Sequence, residues 1–146
     1  MKKLLLCAVL AGTCGLLSGC VTSSDERMLE TEKSQLELRQ MQTRAFDATD
    51  REKTLRTIMA TLQDLGFVID KADATLGTVT ATRLSTSAFH ANSMRMTVTV
   101  RPHGDQQLLV RASGQLNEKA VVNPAVYQEF FSALSKAMFL EAQQVE

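Results

Sequence analysis

Apolar residues recur along this chain with two different periods, and each change of period marks the edge of a structural element. Met94, Met96, Val98 and Val100 alternate with Arg95, Thr97, Thr99 and Arg101, the period of two expected of a half-buried strand. Pro102-His103-Gly104-Asp105 then reads as a turn, and Leu108, Val110, Ala112 and Gly114 alternate with Leu109, Arg111, Ser113 and Gln115. Two runs of the same period across one turn predict a hairpin. Upstream, Leu76 to Leu84 is a threonine-rich strand with Val79 and Ala81 facing inward, Thr78, Thr80 and Thr82 facing out, and Gly77 at a bulge or a tight start. Phe67-Val68-Ile69-Asp70 predicts a shorter strand, with Phe67 and Ile69 on one face and a turn over Asp70 to Ala74.

The helical period appears twice. Leu55, Ile58, Met59, Leu62 and Leu65 recur at spacings of three and four, so they form one apolar face of a helix. Thr49 followed by Glu52 forms a capping box at its start, with Asp50 as the alternative cap, and Gly66 ends it. Asn123-Pro124 opens a terminal helix, whose wide apolar face carries Val126, Tyr127, Phe130, Phe131, Leu134, Ala137, Met138 and Phe139. Ser85 to Ser93 shows neither period and reads as a loop carrying Phe89 and His90, and Leu116 to Val122 reads as a connection. Residues from Arg27 to Gln42 have helix-forming composition without a clean stripe. A mobile or helical approach followed by a short edge strand ending near Phe46 is expected there, with Leu38 and Phe46 turned inward.

These elements predict an α+β fold: an antiparallel four- or five-stranded sheet with two helices packed on one face. The opposite face is then rich in Thr and Arg.

A third pattern precedes the domain. Lys2 and Lys3 head an apolar run from Leu4 to Leu17, which is too short to span a bilayer comfortably, since about 20 residues are needed. It is the shape of a secretory leader. Leu17-Ser18-Gly19-Cys20 at its end resembles the bacterial lipobox, and that resemblance implies a diacylglyceryl group on the Cys20 sulfur, cleavage before Cys20 and acylation of the new amino terminus. Each buried methylene contributes about 0.8 kcal/mol of membrane affinity, so several chains on one residue suffice for anchoring to the bacterial membrane. Val21 stands where inner-membrane lipoproteins carry Asp, which implies the periplasmic face of the outer membrane. The expected organisation is a signal peptide over 1–19, a lipidated N-terminus with a flexible or helical tether over 20–35, and a single α+β domain over 36–146.

The leader changes the reading of composition. Cys7 and Cys14 leave with it and Cys20 carries lipid, so the 127 residues from Cys20 onward have no disulfide, thiol nucleophile or cysteine metal ligand. Loss of Lys2 and Lys3 leaves 14 basic against 16 acidic residues, a formal net charge of −2. That balance gives no sign of nucleic-acid binding.

Candidate chemistry is sparse. His103 sits in turn context. His90 lies near Ser85, Ser87 and Ser93, the residue types of a serine–base pair, but composition alone does not supply the geometry such a pair requires. Asp70 and Asp73 lack calcium-loop spacing, Asp47 and Asp50 suit local turn and capping bonds, and Gly66 and Gly77 do not form a phosphate-binding loop. Arg83, Arg95, Arg101 and Arg111 read as solvent-facing strand positions. No catalytic residue, cofactor or metal ligand is assigned. Phe89 and the outward face bearing Arg95 and Arg111 are the candidates for partner contact, because an exposed aromatic can be buried by a partner and guanidinium groups bind carboxylates with defined geometry.

Gln42-Thr43-Arg44-Ala45-Phe46-Asp47, Thr61 to Phe67, Leu76 to Thr82 and Tyr127-Gln128-Glu129-Phe130-Phe131 together resemble segments of small, mostly uncharacterised bacterial outer-membrane lipoproteins. The helix-over-sheet plan also resembles, at the level of fold, the helix-grip domains of BamC-type lipoproteins. Neither resemblance implies a reaction. The expected function is a non-enzymatic component that assembles or stabilises an envelope protein complex, with an envelope protein or a second copy of the chain as partner. A lipid- or small-amphiphile-binding module, with its ligand between helices and sheet, is the alternative, followed by a small hydrolase using His90 with Ser85 or Ser87.

Overall fold

The computed structural model describes residues 34–87 and 90–143, with the backbone alone at 86, 87, 90 and 91. The leader, Cys20, the tether as far as residue 33, and Phe89 lie outside the described residues. The elements are α1 (34–41), β1 (Thr43–Phe46), α2 (Arg51–Asp64), β2 (Val68–Asp73), β3 (Thr78–Ser87), β4 (His90–His103), β5 (Gln107–Leu116), β6 (Lys119–Ala120) and α3 (Pro124–Gln143). The strands form one antiparallel six-stranded sheet of order β1-β5-β4-β3-β2, with β6 also pairing β5. The fold is therefore α+β, with three helices packed against an antiparallel sheet. The expected count of four or five strands omitted β6, whose two residues are too few to show any period. The expected pair of helices omitted α1, which packs through Leu38 and Met41.

Alternation along β4 and β5 builds the core. Met96, Val98, Val100, Leu108, Val110 and Ala112 are almost fully buried, together with Val79 and Ala81 of β3. Onto them α2 lays Leu55, Ile58 and Leu62, and α3 lays Tyr127, Phe130, Phe131 and Leu134. The rings of Phe130 and Phe131 meet edge to face at 5.2 Å. Phe139, expected on this face, is 63% exposed. It lies about 100° around the helix from half-buried Met138, beyond the reach of the stripe.

The caps follow local chemistry. Asp50, rather than Thr49, caps α2: its Oδ1 accepts from the Lys53 N–H at 2.9 Å and its carbonyl accepts from the Thr54 N–H at 3.1 Å. At the other end Gly66 has φ +80, and the Phe67 and Gly66 N–H groups donate to the Leu62 and Gln63 carbonyls, both at 2.9 Å. This left-handed exit satisfies the last carbonyls of the helix. Arg83 joins it. Instead of facing solvent, its guanidinium stacks 4.8 Å over the Phe67 ring and donates to the Leu65 carbonyl at 3.0 Å. The parity of β3 puts Arg83 on the helix side, and a helix C-terminus rewards a cation there.

Several strand boundaries differ from expectation, and Pro102 and His103, expected in the turn, instead end β4 opposite Leu108 and Gln107. β2 continues to Asp73 through a register shift between Ile69 and Lys71, where Asp70 accepts from the Thr82 hydroxyl at 2.6 Å, so the turn lies at 74–77 rather than Asp70 to Ala74. In that turn Asp73 accepts from the Leu76 N–H, and Arg51 donates to the Ala74 and Thr75 carbonyls. The segment Ser85 to Ser93 is not a loop throughout: β3 runs to Ser87 and β4 starts at His90, with Leu84 opposite Ser93 and Ser87 opposite His90. This ribbon extends beyond the last flanking pairs, Val68 with Thr82 and Met94 with Leu116. With no neighbouring strand there, little in its sequence needs to alternate.

A buried knot closes the outer side of β5. β1 pairs with residues 108–111 and β6 with 115 and 116, leaving a gap between them. The Gln42 carbonyl accepts from the Ala112 N–H, and the Gly114 carbonyl accepts from the Val121 N–H, at 2.8 and 2.9 Å. The Tyr127 hydroxyl fills what remains. It accepts from the Gly114 N–H at 3.3 Å and from Gln42 Nε2 at 3.1 Å, and donates to the Val121 carbonyl at 2.6 Å.

Candidate functional site

The face of the sheet opposite the core is built by the other half of the same alternation. Thr97, Thr99 and Arg101 project from β4, and Leu109, Arg111 and Ser113 from β5. Register places Thr99 opposite Arg111, Thr97 opposite Ser113 and Arg101 opposite Leu109, while β1 adds Thr43 opposite Arg111. A groove of about 380 Å³ runs among them, and Arg39 of α1 contributes to its lining.

The groove has a distinct polarity. Hydroxyls of Thr43, Thr97, Thr99 and Ser113 line it, with half-buried Leu109 as its apolar element. The internal bonds of these hydroxyls are long: Thr99 Oγ1 to the Arg111 carbonyl at 3.5 Å, Ser113 Oγ to the Thr97 carbonyl at 3.4 Å, and Thr80 with Thr97 at 3.4 Å. Arg111 donates to Gln42 Oε1 at 3.4 Å. Among the described residues the ion pair present is Arg56 with Glu52 on α2, so Arg39, Arg101 and Arg111 meet no carboxylate there. Hydroxyl groups with spare capacity and unneutralised guanidinium groups together favour carboxylate or phosphate oxygens.

Arg95 and Arg111 share this face but not one depression. Arg95 lies opposite Gln115 and lines a second hollow of about 440 Å³ with Ser93, Asn117 and Glu118. Thr99, the partner of Arg111, lies four positions beyond Arg95, which is about 13 Å along the strand. Asn117 shapes that end: its N–H donates to the Ser93 carbonyl, its Oδ1 accepts from the Ser93 N–H, and its Nδ2 donates to Asn92, each at 2.9 Å. Arg101 and Arg39 were not assigned to a site by sequence. Arg101 shares the parity of Arg95 and Arg111 along the hairpin, whereas the position of Arg39 depends on how α1 meets the sheet.

The remaining candidates are placed as follows. Backbone register puts Ser87 opposite His90 and Ser85 opposite Asn92. His103 is exposed at the end of β4, opposite Gln107, and Asp47 accepts from Gln107 Nε2 at 2.7 Å. Among the described residues no group of three or more His, Cys, Asp or Glu is placed to hold a metal ion, and no helix is long and apolar enough to cross a membrane. No protein-family model matches the chain, and no curated protein matches it significantly.

Proposed function

We propose that this protein is a non-enzymatic envelope lipoprotein, held by acyl chains on Cys20 at the periplasmic face of the outer membrane, and that it assembles or stabilises an envelope protein complex. The observation that carries the reading is the lysine-headed apolar leader ending in Leu17-Ser18-Gly19-Cys20. The domain supports it by arrangement: helices cover the apolar face of the sheet, leaving the hydroxyl- and arginine-bearing face open to a partner. The alternative of a lipid held between helices and sheet finds less support, because Ile58, Leu62, Met96, Val98, Val110, Phe130 and Leu134 fill that space as one continuous core.

The test is metabolic labelling with an alkyne fatty acid, fractionation of membranes, and crosslinking in intact cells. The native chain should take the label, sediment with the outer membrane and crosslink into one stoichiometric assembly. Cys20→Ala should lose both label and sedimentation. Label retained in that variant would refute the anchor, and recovery of the chain alone from intact membranes would refute the complex.

A further inference from the structure

On the β4–β5 part of the open face the charge is of one sense, whereas Asp70 of β2, bonded to Thr82, and Glu118 stand on the side of Arg95. Along the outward positions of β4 and β5, Arg95, Arg101 and Arg111 are matched by no acidic residue, in a chain whose formal balance from Cys20 onward is −2. Segregation of charge against the overall balance marks a surface that favours an anionic partner. The guanidinium groups of Arg39, Arg101 and Arg111 line one groove, which also holds hydroxyl groups with spare bonding capacity and a single aliphatic side chain. That mixture suits a ligand that turns carboxylates toward the groove.

Spacing narrows the class. Arg101 and Arg111 lie on adjacent strands, offset by two residues in register. With strands about 4.8 Å apart and about 3.3 Å per residue, their Cα atoms are separated by about 8 Å. Acidic residues two apart on an extended chain project from the same side at about 7 Å, so each can meet its own guanidinium.

We propose that this groove docks an extended acidic segment of a partner protein, in which Glu or Asp at alternate positions pairs with Arg101 and Arg111, and Arg39 closes the end. This rests on the reading of the protein as a component of an envelope complex, and supplies the chemistry of the contact.

Two measurements on the full lipidated chain test it. In detergent micelles, a fluorescent eight-residue peptide alternating Glu and Val should bind, with affinity falling as salt is raised. The same peptide with Gln for Glu should bind at least tenfold more weakly, as should the Glu peptide to Arg101→Glu/Arg111→Glu. The milder Arg101→Gln/Arg111→Gln guards against misfolding, and circular dichroism should show both variants folded. Equal binding of the Glu and Gln peptides, or displacement of the peptide by millimolar inorganic phosphate, would overturn the proposal, the second by showing a simple anion site. In cells, a benzophenone amino acid replacing Thr99 should crosslink one envelope protein, and the charge reversal should abolish that product. Crosslinks from Glu129 on α3 but not from Thr99 would leave the complex standing and refute the groove. Absence of crosslinks at both positions, with the anchor intact, would count against both.

Discussion

Replacing Tyr127 with Phe removes one oxygen and almost no volume, so its cost isolates the knot beside β5. The hydroxyl serves three partners, the Gly114 N–H, Gln42 Nε2 and the Val121 carbonyl, and Tyr127 is only 1% exposed. Water therefore cannot readily replace it. A hydrogen bond contributes about 0.5–1.5 kcal/mol net, whereas a buried group left without its partner costs about 1–3 kcal/mol. The contact at 3.3 Å is long, so the three losses do not sum in full. A destabilisation of about 2–4 kcal/mol is expected. In a domain of this size each kcal/mol lowers Tm by about 4–8 °C. Urea unfolding followed by circular dichroism should show a lower midpoint with an unchanged slope. Gln42→Leu supplies the second arm of a double-mutant cycle, because with the amide gone the Tyr127 hydroxyl has one partner fewer. The double variant should be less destabilised than the sum of the singles by about 1 kcal/mol. A cost for Tyr127→Phe below about 0.5 kcal/mol, or strict additivity, would refute the reasoning.

Two further substitutions probe the backbone. Gly77 has φ +69, and an added Cβ would lie 2.6 Å from the Val100 carbonyl oxygen, so Gly77→Ala should destabilise by about 2–3 kcal/mol in the same assay. A cost under about 1 kcal/mol would show that the turn relaxes. Asn117 and Glu118, with φ of 47 and 68, form the two-residue connection between β5 and β6, a geometry that favours Gly in its second position. Glu118→Gly should therefore stabilise by about 0.5–1 kcal/mol, and a lowered Tm would contradict that assignment.

What the sequence revealed followed the local strength of its pattern. Met94 to Val100 and Leu108 to Gly114 were legible because one face of each strand meets the helices, and burial imposes the period. Residues 85–93 were not, because the ribbon passes beyond that cover. Arg83 misled for another reason: its parity points inward, but the Leu65 carbonyl and the Phe67 ring that receive it come from a different part of the chain. The same limit applies to the groove. Parity put Arg95, Arg101 and Arg111 on one face, and only register separated Arg95 from the other two.

On the proposed anchor at Cys20, the closure of β5 also bears on how many copies share a membrane surface. Chains confined to two dimensions meet often, and an unpaired strand edge is a template for joining them. One margin of the sheet is occupied by β1, β6 and the Tyr127 hydroxyl. The opposite margin is β2, a short strand bent at Asp70 and bearing Lys71. Both are poor templates, so the sheets of crowded domains do not grow into one another at these margins, and the ribbon of β3 and β4 beyond Thr82 and Met94 is where unpaired edges remain.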